Sequence, residues 1–260
     1  MVQLKARDGR DPKELAAMDL DAHMSNRELK KKYVATMFDI LAPGYNSFTR
    51  IYSFGMDRGW KEQLIVEGVR HAARHARILD LACGTGDLGL ELAGRLRSPF
   101  TLGLDLSPRM LAEAAERMRT GGGERMNLVA GDMGRLCVTD GSVDVVSIGY
   151  GLRNTPDARQ ALREVARVLR PGGILMNLDF YKPVGKLWRE VFLNYMWHTG
   201  RICGWLWHRE PIVYGYIAES IRRYLTLPEF EEALTACGFR VEWRNSALGG
   251  GIGMHVARRV

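Results

Sequence analysis

From residue 77 onward, short apolar runs alternate with stretches whose apolar residues recur at helical spacing. Ile78 to Ala82 is a run of the buried-strand type, closed by Cys83-Gly84-Thr85-Gly86. Leu88, Leu90, Leu92, Ala93 and Leu96 then give a helical pattern. Phe100 to Leu106 predicts a second strand, and Ser107-Pro108 opens a helix over 109–119 with Ser107 as its N-cap. Met126 to Ala130 and Val143 to Tyr150 predict the next two strands. A helix over 158–169 stops at Arg170-Pro171-Gly172-Gly173, and Ile174 to Phe180 follows as the fifth strand. A helix over 227–237, a strand over 240–245 and a last run over 254–257 close the series. Continuous apolar runs joined through helices predict a mostly parallel sheet with helices on both faces.

Two segments break this rhythm. Residues 28–70 look helical, with a turn at Pro43-Gly44. Residues 184–208 carry Trp188, Phe192, Tyr195, Trp197, Trp205 and Trp207, an aromatic-rich insertion in the α/β pattern. The expected organisation is a flexible N-terminal arm over 1–32 and one domain over 33–260. Within that domain, a lid or substrate insertion spans about 181–225.

Composition narrows the class. Hydrophobic residues at 46% and charged residues at 26% exclude a mostly disordered chain. No apolar run approaches the ~20 residues that cross a bilayer. The N-terminus is polar and mixed in charge, so the expected location is cytoplasmic, with peripheral contact at the inner membrane face. The four cysteines are scattered without a C-x-x-C pair, so neither a metal site nor a disulfide framework is expected. The net charge is +7, and seven Lys/Arg against three Glu between Lys182 and Tyr224 give the insertion +4. Lys186, Arg189 and Arg201 beside the tryptophans suit an anionic bilayer surface; an ordinary helical cap on the core explains them too.

The chemistry concentrates in the loop after the first strand. Glycines let the backbone turn sharply and approach a ligand where parallel sheets bind them. Gly84-x-Gly86-x-x-Gly89 also matches a dinucleotide fingerprint. Asp80, on the strand itself, separates the two readings: a carboxylate repels a pyrophosphate and attracts a sulfonium with its ammonium group. Asp105, ending the next strand, suits ribose hydroxyls, and Asp132, after the third, an adenine amino group. Together with Gly84, Thr85, Gly86, Leu106 and Gly149, these acids fit S-adenosyl-L-methionine better than NAD. Each acid taken alone would serve equally as a turn or capping carboxylate.

Ile78 to Asp87, with Asp105, Gly131-Asp132 and Leu169 to Gly173, resembles the class I, Rossmann-like methyltransferases. Four further stretches are similar to the quinone C-methyltransferases of ubiquinone and menaquinone biosynthesis. These are Phe38-Asp39 to Tyr45 with Ser53-Phe54-Gly55 and Trp60-Lys61; Gly151-Leu152-Arg153-Asn154; Asp179 to Pro183; and Tyr216 to Ile221. The resemblance spans about 33–255 and implies a seven-stranded sheet, with cofactor contacts at Thr85, Asp105, Asp132 and Met133. Asn46, Thr49, Gly149 and the Gly253 to Ala257 tail depart from the family pattern.

C-methylation needs a ring carbon made nucleophilic, most simply by deprotonating a quinol hydroxyl. Arg153 is too basic to take that proton, but its charge suits a phenolate, and Asn154 suits the second hydroxyl. His198 is the candidate base; Tyr45, Tyr181, Tyr216 and His255 are candidate pocket walls. The expected partners are a small lipophilic quinol, a membrane surface and a second copy as a homodimer. Nucleic acid is not expected: the acid/Asn-Pro-Pro-aromatic string of amino-methylating enzymes is missing at Arg153-Asn154-Thr155-Pro156. A SAM-dependent methylase of specialised metabolism, a non-catalytic SAM-binding regulator and an NAD-dependent oxidoreductase are the competing readings.

Overall fold

The computed structural model describes residues 14–15, 17–121, 123–208 and 212–260. Seven strands form a single sheet: β1 (Ile78–Leu81), β2 (Thr101–Asp105), β3 (Asn127–Ala130), β4 (Val143–Gly149), β5 (Leu169–Phe180), β6 (Phe239–Ala247) and β7 (Ile252–Arg259). Their order is β3-β2-β1-β4-β5-β7-β6. The first five pair in parallel, and β7 runs antiparallel between β5 and β6. All four residues of β1 are buried, because helices cover both faces of the sheet's centre. This is the mostly parallel sheet with helices on both faces that the alternation of runs predicts, in the seven-stranded Rossmann-like form that the resemblance implies.

On one face, α4 (Met56–His71) and α5 (Asp87–Leu96) pack Leu64, Leu92 and Leu96 against Ile78, Val145 and Val256. On the other, α7 (Ala158–Val168) and α10 (Leu227–Ala236) bring Leu162, Val165, Phe230 and Leu234 to Leu79, Val146 and Leu175. Adjacent strand residues thus feed opposite cores. A third cluster joins α2 (Arg27–Leu41), through Tyr33, Val34 and Met37, to Met110 of α6 (Pro108–Gly121). The insertion is a helix pair, α8 (Lys186–His208) and α9 (Ile212–Arg222), closed over Phe192, Met196 and Ile221.

Two expectations change. Residues 1–13 lie outside the described residues, but from Leu20 the expected flexible arm is helical: α1 (Leu20–Ser25) runs into α2. Asp19 and Asn26 cap the two helices by accepting backbone N–H groups, and Leu15 is fully buried. Polarity hid this because α1 buries none of its own residues. Lys30 then pins α2 by donating to the carbonyls of Arg153 and Thr155, at 3.2 and 2.6 Å. In β5, Leu169 pairs with Val143 and Ile174 with Val145. The Pro-Gly-Gly stretch is therefore a bulge within a longer strand rather than a break before it.

Candidate active site

β1 ends in a backbone that winds through the left-handed region at Ala82 (φ 50°), Gly84 (53°) and Gly86 (83°). The turn delivers Asp80 and the loop amides to one place. Asp80 Oδ2 accepts the Gly89 N–H at 3.0 Å and Oδ1 accepts the Ser147 hydroxyl at 2.6 Å. Burial pushes its carboxyl up to about 7, against those two bonds, which favour the charged form. Asp105 closes β2 and accepts the N–H groups of Gly84 and Ser107, both at 2.8 Å. Burial raises its pKa as well. Ser107 accepts the Met110 N–H at 3.2 Å, the N-cap expected of it, while its hydroxyl donates to Asp39 at 2.5 Å. Asp132 accepts the Gly134 N–H at 2.8 Å and meets Lys31 of α2 at 2.9 Å.

A cleft of two connected lobes runs over these strand ends. A lobe of about 700 Å³ is lined by Gly84, Asp105, Leu106, Asp132, Met133 and Gly149, with Lys31 and Phe38 of α2 across from them. A lobe of about 380 Å³ holds Asp80, Gly84, Thr85 and Gly149. Every residue expected to bind cofactor lines this cleft except Gly86, which only turns the chain into α5. The departure at Asn46 has a use here: its side-chain oxygen accepts the Thr85 hydroxyl at 2.8 Å, tying α3 (Tyr45–Tyr52) to the glycine loop.

A second cavity, about 600 Å³, adjoins the first. Met37, Phe38, Leu41, Trp60, Phe180 and Ile217 are its apolar walls; Tyr45, Thr49, Tyr52, Ser53, Asp57, Tyr150, Arg153 and Tyr216 bring polar groups. Tyr45 and Tyr150 line both this cavity and both lobes of the cleft, so the two spaces meet between them. Tyr150 is held at φ 59°, a strained value for an aromatic residue. Its N–H donates to Leu178 O at 2.7 Å, and its carbonyl accepts from Arg153 Nη1 at 2.7 Å and Asn154 Nδ2 at 2.9 Å. Arg153 is no surface ion pair. It is 6% exposed and bound to the fully buried Asp179, side chain at 2.7 Å and backbone N–H at 3.0 Å, with its guanidinium over the Phe180 ring. Its buried Nε has no hydrogen-bond partner among the described residues.

Four sequence expectations fail in position. His198 is exposed on α8 with its ring against Trp197, and it lines neither the cleft nor the second cavity. Tyr181 and His255 sit across the sheet with Phe230; Tyr181 accepts from Asn177 at 2.8 Å, and burial pushes the His255 pKa down. Asn154 lines the cleft rather than the second cavity, and its oxygen accepts the Tyr216 hydroxyl at 3.1 Å. Sequence reasoning missed Lys31, Asp57, Lys61 and Asp179. Lys61 and Asp179 stand inside family-like stretches but received no role, and Asp57 lies between two of those stretches, where only its i, i+4 spacing to Lys61 hinted at a pair.

A parallel sheet with one antiparallel strand beside its edge, a glycine turn and carboxylates at successive strand ends define the class I, S-adenosyl-L-methionine-dependent methyltransferase class. Residues 26–259 match the model of the ubiE/COQ5 methyltransferase family, and the chain belongs to that family. A demethylmenaquinone methyltransferase of Deinococcus radiodurans is 34% identical over 228 residues, covering 87% of this chain and 92% of the relative. The ubiquinone/menaquinone biosynthesis C-methyltransferase UbiE of Geotalea daltonii is 31% identical over 213 residues, covering 81% and 89%. Among solved structures, the [4+2]-cyclase SpnF superposes with a TM-score of 0.62 at 19% identity, over 88% of this chain and 96% of that one. That similarity concerns the fold alone. The chain is thus an S-adenosyl-L-methionine-dependent methyltransferase. Among the described residues, no helix is long and apolar enough to cross a membrane, and no group of three or more His, Cys, Asp or Glu could hold a metal.

Proposed function

We propose that the chain methylates a ring carbon of a lipophilic quinol of the demethylmenaquinol type. One observation carries the reading: a cavity with aromatic and aliphatic walls that also holds Asp57 and Arg153 opens onto the cofactor cleft between Tyr45 and Tyr150. The names of its relatives point to the same acceptor. Asp105 binds the ribose hydroxyls, Asp132 and Met133 the adenine, and Asp80 with Thr85 the cationic amino-acid end. When bound, S-adenosyl-L-methionine supplies a sulfonium methyl carbon open to in-line displacement. The protein's part is to align the acceptor, keep water out and stabilise the phenolate. Arg153 Nε, a charged donor without a partner, is the group for the phenolate.

A neighbouring apolar groove of about 810 Å³ shares Tyr52, Ser53, Trp60 and Phe180 with the acceptor cavity and continues past Phe54, Trp188, Val191 and Tyr195. It takes the isoprenoid tail. Leu187, Trp188, Val191 and Tyr195 are exposed along α8 near Lys186 and Arg189, an amphipathic face for an anionic bilayer. The test offers a reduced naphthoquinol with a short tail in anionic or neutral vesicles, and mass spectrometry follows the ring gaining one methyl. Methylated quinol, formed faster on anionic vesicles, is expected. If the protein binds cofactor yet leaves the quinol unchanged, the acceptor is wrong.

Asp80 gives the cofactor end a pH signature. With its carboxyl near 7 in the free protein, it is largely protonated below that pH. A cation favours the carboxylate, so affinity is highest above pH 7. It falls as pH drops, by at most about tenfold per unit. Calorimetry near pH 7 in two buffers of different ionisation enthalpy should register a released proton; buffer-independent heats would remove Asp80 from the site.

A further inference from the structure

Eight buried side-chain polar atoms lack a hydrogen-bond partner among the described residues, and three of them belong to residues lining the acceptor cavity: Asp57 Oδ1, Tyr150 Oη and Arg153 Nε. Such groups are costly to bury unless a ligand satisfies them. A quinol hydroxyl needs an acceptor for its proton and a donor for the resulting oxyanion, and the cavity holds one acceptor, Asp57 Oδ1, and two donors, Tyr150 Oη and Arg153 Nε. We propose that Asp57 is the general base that removes the hydroxyl proton of the acceptor. This rests on the quinol reading above.

The geometry leaves Asp57 free on one side only. Lys61, one helical turn along α4, holds Oδ2 at 2.8 Å and also reaches Asp87 at 3.1 Å. Burial works against the charge on Lys61, but Asp87 and Asp57 outweigh it and raise its pKa. The ammonium therefore stays in place while Oδ1 remains open. Burial, then the charge of Asp57 and the pull of its carboxylate on the phenol proton, push the neighbouring Tyr150 hydroxyl well up, so Tyr150 stays a neutral phenol beside Asp57, the two without a well-formed hydrogen bond between them. With His198 in solvent and His255 across the sheet, Asp57 is the carboxylate of this cavity.

The transfer moves charge without creating it. The acceptor O–H bond breaks, its proton passing to Asp57 Oδ1 and its electron pair staying on oxygen. Negative charge thus shifts from beside Lys61 to beside Arg153. The pair is delivered through the ring into the new C–C bond as the methyl–sulfur bond breaks, its electrons remaining on sulfur. The methylated carbon then loses its hydrogen to water as a proton, and Asp57 returns its own proton to the oxygen. One proton is released per turnover.

Asp57→Ala is expected to lower kcat about 100-fold or more, the usual worth of a positioned base. Its affinity for S-adenosyl-L-methionine should stay within about twofold of wild type. Formate fills the space left by the truncated carboxylate and should restore at least about tenfold of the loss. Asp57→Asn, isosteric but not basic, should lose as much and gain nothing from formate. Turnover of Asp57→Asn within about threefold of wild type, or no response of Asp57→Ala to formate, overturns the assignment. If Asp57→Ala does not fold, Asp57→Asn decides alone. Wild-type protein unable to methylate the quinol would instead remove the acceptor reading itself.

Discussion

Asp105→Ala is expected to lose measurable binding of S-adenosyl-L-methionine by calorimetry, whereas the wild-type protein binds it. Two lone-pair directions of this carboxylate are spent inside the protein, on the N–H groups of Gly84 and Ser107. The Leu106 N–H favours its charged form as well, and the carboxylate lines the cleft, where the capacity left over can accept from a ribose diol. Truncation removes both sets. It strips an acceptor from two amides at an 8% exposed position, at about 1–3 kcal/mol each. The amides belong to the glycine loop and to the entry of α6, so the cleft also loses its shape. The charge-assisted bonds to the ribose lost on binding, about 1.5–3 kcal/mol each, come with the loss of shape to about 3 kcal/mol or more and weaken binding about 150-fold or more. Asp105→Asn keeps the volume but turns a donor toward one of those amides, and should fall almost as far. A dissociation constant for Asp105→Ala within about threefold of wild type would overturn the cofactor geometry.

The contrast between Asp105 and Tyr181 marks what the sequence can reveal. Asp105 was legible because strand ends in a parallel sheet share one edge: a carboxylate closing an apolar run faces the ligand side whatever the neighbours do. The central strands β1, β2 and β4 were legible as apolar runs that are buried along nearly their whole length. Tyr181 depended instead on pleat. It follows Phe180 directly, so the two point to opposite faces, Phe180 into the acceptor cavity and Tyr181 toward Phe230. One residue of register decides which, and the chain does not announce it. His255, paired with Asn177 in β5, was misplaced by the same parity. His198 misled because an aromatic insertion reads equally as wall or surface until its partner helix is known. Asp57 was invisible for another reason. An acid in the first turn of a helix is the ordinary complement to the helix dipole. Only the cavity beside it shows that one of its oxygens has nothing to do.

Arg153 tests the catalytic half of the site, and its burial makes the test demanding. Arg153→Ala leaves Asp179 as an uncompensated buried charge, an expected loss of about 3–5 kcal/mol of stability. Lower turnover in that variant would say little by itself. The informative protein is Arg153→Met with Asp179→Asn. The pair becomes neutral at nearly constant volume, and the asparagine oxygen still accepts one of the Arg153 and Phe180 N–H groups that bind Asp179 now. This double variant should melt within about 5 °C of wild type, an offset of one or two kcal/mol for a chain of this size. It should bind S-adenosyl-L-methionine normally. Its turnover on quinol should nonetheless stay at least about 100-fold down, because a positioned cation beside a developing oxyanion is worth about that much. Arg153→Lys should fall between, keeping the charge but losing the planar guanidinium whose Nη1 bonds both the Tyr150 carbonyl and Asp179 while Nε is left over. Turnover that recovers together with stability in the double variant would reduce Arg153 to a structural clamp on Tyr150, and the phenolate would need another partner.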